Sequence, residues 1–260
     1  MIRGLWTAAT GMNAQQLSID VCANNLANAN TSGFKKSRNN FQDMMYQTLQ
    51  IPGADAPGGG QVPIGIQVGM GTRPVSVQKI FTQGDFEQTG NELDMAIEGD
   101  GFFKVVSGDE ELFTRSGNFT KDSEGYLTTA SGERLQPEVS VPEGTVQITI
   151  QPDGTLTAYG NGSVALSTAN IVIHSFVNPS GLYAVGRNLL RQTVASGEPV
   201  EGTPGTEGFG TIASGTLEKS NVSVVEEMVA LIVGQRAYEA NSKALQTADT
   251  LLQTANGIKR

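Results

Sequence analysis

The chain has 260 residues with 17 Lys and Arg against 26 Asp and Glu, a net charge of -9, one Cys and one His. Its basic residues are scattered, the clearest cluster being Lys35, Lys36 and Arg38, which excludes the electrostatic footprint that nucleic acid requires. A lone Cys22 and a lone His174 exclude an internal disulfide and any zinc site built from two or more such ligands, so no metal and no cofactor are expected.

The N-terminal segment Met1-Ile2-Arg3-Gly4-Leu5-Trp6-Thr7 has no charged stretch leading into an apolar run, so a cleaved secretory signal is not expected. No run approaches the roughly 18 apolar residues of a membrane span, so no membrane insertion is expected either. Yet 32 Gly, many Thr, Ser and Asn, and only 17% charged residues suit an extracellular β-rich protein, which hints at an unusual export route. From there Leu5, Met12, Ile19 and Leu26 recur every seven positions, with Ala8, Cys22 and Ala29 at the offsets between. This predicts an amphipathic helix with a narrow apolar seam, in which Cys22 serves as a small hydrophobe.

The helix runs into Ala23-Asn24-Asn25-Leu26-Ala27-Asn28-Ala29-Asn30-Thr31-Ser32-Gly33-Phe34. Asn is a mediocre helix former, and Gly33 is placed to act as a left-handed cap. Asn24 and Asn28, four apart on one face, either set the register of packed helices or simply face solvent. A Gly/Pro-rich stretch follows from Pro52 to Gly71, with Gly58-Gly59-Gly60 inside it. Its composition fits a linker, a disordered loop or an extended arm ordered by neighbouring subunits.

The tract from Gly84 to Phe103 holds Asp94, Glu98 and Asp100 but lacks a Gly-Lys-Ser/Thr ending and a strand-to-helix context. It reads as turns leading into a strand at Phe102-Phe103-Lys104-Val105-Val106, with no catalytic carboxylate. Period-two alternation then predicts strands around Val146, Ile148 and Ile150 and around Val172, His174 and Phe176, where His174 is a packing side chain. Turns at Asp109-Glu110, Ser123-Glu124-Gly125, Ser131-Gly132, Asp153-Gly154 and Asn161-Gly162 fit an antiparallel meander, sandwich or barrel. No Gly-x-Ser-x-Gly elbow supplies a nucleophile. A second Gly/Pro-rich stretch spans Ser196 to Gly210, and the C-terminal segment is again a seven-residue repeat, Val224, Leu231, Tyr238, Leu245 and Leu252, widened by Met228, Ala248 and Ala255. Each stripe left in water would forfeit several kcal/mol at about 1.5–3 kcal/mol per large aliphatic side chain, so each helix needs a partner.

The segment Ala23 to Lys35 resembles the N-terminal signature of the flagellar axial family of rod and hook proteins. The resemblance extends through Gly84–Phe103, Phe113–Phe119, Gly125–Leu127, Gly132–Gln136, Gly186–Leu190, Ser196-Gly197 and Leu217–Ile258, so it covers nearly the whole chain. It implies an α+β fold, with a discontinuous, coiled-coil-like helical domain from residues 1–45 and 216–260 forming an inner tube. A rod-specific Gly/Pro-rich segment at 46–74 and a β-rich outer domain at 75–215 complete it.

It further implies a non-enzymatic structural subunit that polymerises helically, transmits torque and forms the wall of an export channel. Its partners would be copies of itself, the proximal rod and hook proteins at either end, the surrounding periplasmic and outer-membrane rings, and the flagellar type III export apparatus. The location implied is the periplasm-spanning rod of the basal body. Length, the single β-rich region and Met45-Tyr46-Gln47-Thr48-Leu49 leading into Pro52-Gly53-Ala54 point to a distal rod subunit. A proximal rod or hook-type subunit is the alternative within the family, and a secreted adhesin or carbohydrate-binding module the alternative from another class. The implied assembly interface is Leu5, Met12, Ile19, Asn24, Asn25, Leu26, Asn28, Asn30, Gly33 and Phe34, with Leu231, Tyr238, Leu245 and Leu252 opposite.

Overall fold

A computed structural model of the chain describes residues 2–53, 63–162 and 164–258, so Gly58-Gly59-Gly60 lies outside the described residues. In chain order the elements are α1 (Ile2–Ala27), β1 (Ser37–Asp43), β2 (Tyr46–Gln50), β3 (Ile66–Gly69), β4 (Thr72–Lys79), β5 (Phe86–Gln88), β6 (Met95–Glu98), β7 (Phe102–Ser107), β8 (Glu110–Thr114), β9 (Phe119–Lys121) and β10 (Leu127–Thr129). They continue with β11 (Arg134–Gln136), β12 (Gln147–Ile150), β13 (Thr155–Tyr159), β14 (Ala165–Asn170), β15 (Ile173–Ser175), β16 (Tyr183–Gly186), β17 (Leu189–Arg191), β18 (Val200–Gly202), β19 (Thr211–Ser214), β20 (Thr216–Glu218) and α2 (Val224–Ile258). The fold is therefore α+β, with a helix near each end and strands between.

The described residues divide into two compact units, one drawn from 2–26, 37–53, 63–78 and 223–258, the other from 27–36, 79–162 and 164–222. In the first unit the helices run antiparallel. The Cβ position of Gly11 lies 2.9 Å from the Asn241 amide and that of Gly234 lies 3.2 Å from Ile19, while Asn25 bonds Glu227, so positions rise along α1 as they fall along α2. The glycines ease the close approach, since a Cβ at either point would press on the Asn241 or Ile19 side chain. Helix α2 begins at Ser223-Val224-Val225-Glu226, a Ser-x-x-Glu capping sequence. The Glu227 amide bonds the Ser223 carbonyl at 3.0 Å.

Also in this unit, β1 pairs with β4 and β2 with β3. Residues 37–43 and, in the other unit, 216–218 are thus strands inside the ranges anticipated for the terminal helices. The flanks of the Gly/Pro-rich stretch pair too, Tyr46 with Gly69 and Gln50 with Ile66. The hairpin is short and two-stranded, and Met45, Leu49, Ile51, Ile64 and Ile66 are exposed along it. Such a ribbon is marginal in water without something to pack on.

The second unit is built on a nine-stranded sheet in the order β16-β17-β8-β7-β11-β10-β9, with β15 pairing both β7 and β18. Alternation along its strands sends neighbouring residues to opposite faces. Phe103, Val105, Leu112 and Leu189 join a large cluster with Phe119, Leu127, Leu156, Ile173 and Ile212. Their chain neighbours Phe102, Phe113 and Leu190 join Phe176 and Leu182 on the other side. The rings in the smaller cluster meet edge to face, Phe113 and Phe176 at 4.8 Å between centroids. A three-stranded sheet, β12-β13-β14, and the pairs β6–β19 and β5–β20 complete the unit.

Candidate assembly surface

In the Asn-rich segment, Asn25 is buried and joins three elements. Its Nδ2 donates to the Ser37 carbonyl at 2.9 Å and to Glu227 Oε2 at 3.2 Å, and its Oδ1 accepts from the Ser37 amide at 2.9 Å. One side chain thereby ties the end of α1 to the start of β1 and to the first turn of α2. Asn24 is exposed, and Asn28 is half-buried and accepts from Thr31 Oγ1 through its Oδ1 at 3.3 Å. Asn30 is exposed in the turn that follows α1.

Gly33 is left-handed, at φ 71°, but it is not the cap of α1, which already ends at Ala27. Its reason is a close approach of backbones: a Cβ there would stand 2.6 Å from the Ser116 nitrogen. Phe34 is buried, with the Lys79 ammonium 4.9 Å from its ring centre.

The large members of the seven-residue stripes, Leu5, Met12, Ile19 and Leu26 on α1 and Leu231, Leu245 and Leu252 on α2, are only half-buried, and Tyr238 is 39% exposed. What the helices bury fully is small or polar: Ala8, Ala14 and Asn25 on α1, Glu227 and Gly234 on α2. Cys22 lies half-buried near Glu227; burial, then that carboxylate, raises its thiol pKa, which fits packing and not reactivity. A second α2 stripe points away from this seam. Val225 (72% exposed), Met228, Val229, Ile232 (54%) and Val233 follow the i, i+3, i+4 spacing and cover nothing within the described residues. Sequence periodicity singled out Val224 and Met228 but missed this stripe, because the heptad template had already claimed one face of the helix.

Sequence reasoning also missed a buried ionic cluster in the second unit. Glu218 is almost fully buried and accepts from Lys35 Nζ at 2.6 Å, Arg115 Nε at 2.7 Å and the Gly84 amide at 2.9 Å. Arg115 completes its donors on the carbonyls of Gly101, Gly99 and Ile97, and Lys35 bonds the Thr82 carbonyl at 2.8 Å. Burial alone would raise the Glu218 pKa, but Arg115 and Lys35 win and hold it below the usual carboxylate range. The cluster joins residues 183 apart in sequence, which no local spacing signals.

The remaining titratable candidates are committed to structure. Asp94 accepts from Thr89 Oγ1 at 2.5 Å and from Asn91 Nδ2 at 3.0 Å, closing the turn it sits in. His174 is buried with its ring centre 5.6 Å from that of Phe113, and burial lowers its pKa. Among the described residues no group of three or more His, Cys, Asp and Glu is placed to hold a metal ion, and no helix is long and apolar enough to cross a membrane.

Three family models match parts of the chain: "Flagella basal body rod protein" at residues 5–35, "Flagellar hook protein FlgE/F/G D1 domain" at 96–158, and "Flagellar basal body rod FlgEFG protein C-terminal" at 213–258. The chain is 47% identical to the flagellar basal-body rod protein FlgG of Borreliella burgdorferi, covering 100% of both chains. It is 44% identical to the FlgG of Buchnera aphidicola from Acyrthosiphon pisum, covering 97% of this chain and 98% of the relative. A basal-body rod protein FlgF from Caulobacter vibrioides is 34% identical over 98% and 97%.

Proposed function

The chain belongs to the family of flagellar basal-body rod proteins, and we propose that it is a structural subunit of the distal rod, polymerising helically around an export channel. Full-length identity is higher to the FlgG proteins, at 47% and 44%, than to the FlgF protein at 34%, which favours the distal over the proximal rod. The relatives are rod proteins rather than enzymes, in keeping with a subunit that works through contacts and not through chemistry.

The observation that carries the reading is the uncovered apolar stripe on α2. Five large aliphatic side chains from Val225 to Val233 face solvent, while the opposite face of the same helix is only half-covered by α1. Each side chain is worth about 1.5–3 kcal/mol when moved out of water, so repeated copies that cover one another's stripes gain substantially. The two helices then pack in a coiled-coil-like inner tube from residues 1–45 and 216–260, and the β-rich part at 75–215 lies outside. The segment 46–74, with its exposed apolar hairpin, lies extended along adjacent copies and helps keep the tube straight. Leu5, Met12, Ile19, Asn24, Asn25, Leu26, Asn28, Asn30, Gly33 and Phe34, with Leu231, Tyr238, Leu245 and Leu252, form the contacts within and between copies.

The partners are then further copies of the chain, the proximal rod protein and hook protein at the two ends, and the periplasmic and outer-membrane rings around the shaft. Delivery is by the flagellar type III apparatus, without a cleaved signal peptide, into the periplasm-spanning rod. In the dilute monomer the helices exchange freely and become ordered only on assembly, by coupled folding and association. Hydrogen exchange on monomer and on purified rods tests this: weak protection of residues 5–30 and 225–255 in the monomer and strong protection in the rod are expected. Strong protection in both would sink the coupled-folding account, and an Ile232→Glu chain that still builds full-length rods would sink the role of the stripe.

A further inference from the structure

One cavity in the β-rich unit is not explained by core packing. It encloses about 190 Å³ between the 27–36 segment, the residues after β4 and the β16–β17 hairpin. Phe34, Phe81, Leu189 and Leu190 give it apolar walls, and Lys79 and Arg187 bring cations to it. Lys35 and Arg115 also reach it, but both are already engaged by Glu218.

Lys79 is in a different position. It is half-buried, its ammonium sits on the Phe34 ring and 3.5 Å from the Lys35 carbonyl, and no carboxylate pairs with it among the described residues. Burial pushes its pKa down with no charged neighbour to offset the cost. A half-desolvated ammonium whose partners are a ring face and one long carbonyl contact is under-satisfied, and an anion brought to it gains more than it would in water.

The mouth of the cavity is held in an uncommon backbone state. Arg187 and Asn188 both lie in the left-handed region, at φ 53° and 60°, which a non-glycine residue such as Arg rarely adopts. The turn is pinned by Asn188 Nδ2 donating to the Ser32 carbonyl at 3.0 Å and by Thr114 Oγ1 donating to the Asn188 carbonyl at 3.1 Å. Arg187 Nη1 stands 3.0 Å from the buried Glu133 carboxylate while most of its side chain remains exposed at the rim. Four cations line the cavity, and two carboxylates outside its lining, Glu218 and Glu133, pair with three of them, a local positive excess in a chain of net charge -9. Beside the mouth, β16 is the last strand of its sheet and pairs only with β17, with all four of its residues exposed. Such an edge can accept an extended segment through main-chain hydrogen bonds.

We propose that this cavity is a carboxylate-binding socket, in which Lys79 receives an Asp or Glu side chain carried on an extended segment of a second copy of the chain, with Arg187 at the rim. The second copy is the occupant favoured by the charge of the chain, strongly acidic outside the socket, and by the open sheet edge at its mouth. The inference rests on the reading of the chain as a self-assembling rod subunit and adds a polar contact in the β-rich unit to the apolar ones of the helices.

Zero-length carbodiimide coupling tests it, because that reagent joins an amine to a carboxylate only when the two touch. Basal bodies purified from cells, and the dilute full-length monomer, are treated alike, and the coupled peptides are mapped by mass spectrometry. The expected result is a Lys79 peptide joined to an Asp or Glu peptide of the same chain in basal bodies and absent from the monomer. The internal Lys104–Glu111 pair, 2.6 Å apart, couples in both samples as the control. Lys79 left unreacted in basal bodies where the control has coupled, equal coupling in the monomer, or coupling to a different protein overturns the proposal. Basal bodies lacking the chain would instead overturn the rod assignment, a result distinct from a rod in which Lys79 is idle.

Discussion

In the β-rich unit the largest apolar side chains are the most deeply covered, Phe103 and Phe113 reaching zero exposure and Phe119 only 1%. Along the two helices the order is reversed, with alanines, a glycine and polar groups at the contact while Trp6, Val225, Ile232 and Val233 stand in solvent. The β-rich unit has finished its burial within one chain. The helical unit brings its backbones together at small residues and leaves large ones exposed. Two kinds of apolar pattern thus end differently: alternation at period two builds a core, whereas the i, i+3, i+4 stripe of Val225, Met228, Val229, Ile232 and Val233 stays exposed.

Truncations at matched apolar positions put that contrast under the most strain. Phe103→Ala should destabilise the monomer by about 3–5 kcal/mol in urea unfolding, whereas Ile232→Ser should stay within roughly 0.5 kcal/mol and act only on assembly. A large monomer cost for Ile232→Ser would break the distinction.

Glu218→Gln should cost about as much as the first of these, roughly 3–5 kcal/mol, because Lys35 and Arg115 are left buried without their counter-charge. Its pH dependence is equally specific. The native Glu218 pKa lies below its unfolded value, so its contribution is complete above the unfolded pKa and disappears as pH falls through the native one. Acid titration of stability should therefore be shallower in Glu218→Gln than in the parent chain below the ordinary Glu range.

Asn25→Ala is the intermediate case, expected at about 1–3 kcal/mol, since it strands the amide and carbonyl of Ser37 and removes a donor from Glu227. Faster amide exchange in purified rods at Ser37 and in the first turn of α2 would locate the effect. The smallest change belongs to His174. Its native pKa is depressed by burial, so the unfolded chain binds the proton more readily and stability should decline as pH drops below about 6.5. His174→Phe should remove that slope, as measured by thermal unfolding between mildly acidic and neutral pH.

These cases also mark what could be read from residue order. Leu5, Met12, Ile19 and Leu26 announced a helix because periodicity is local, and Val172, His174 and Phe176 announced a shared strand face for the same reason; His174 and Phe176 are indeed both buried. Arg115 and Glu218 announced nothing, because their pairing exists only after strands far apart in sequence have met. Gly33 was recognisable as left-handed, but its cause, the backbone of Ser116, was not. Composition argued against a helix in residues 52–71, and among the described ones Ile66–Gly69 is a strand, while its pairing with residues 46–50 depended on register that composition does not carry.

The Lys35–Glu218 bridge has a further consequence, one of timing. The cation is among the first parts of the β-rich unit to leave the ribosome and the carboxylate among the last, 183 positions later. Until β20 has emerged, Lys35 and Arg115 lack Glu218 as counter-charge and β5 lacks its partner strand. A chain built this way cannot close its buried ion cluster until nearly all of it has been made.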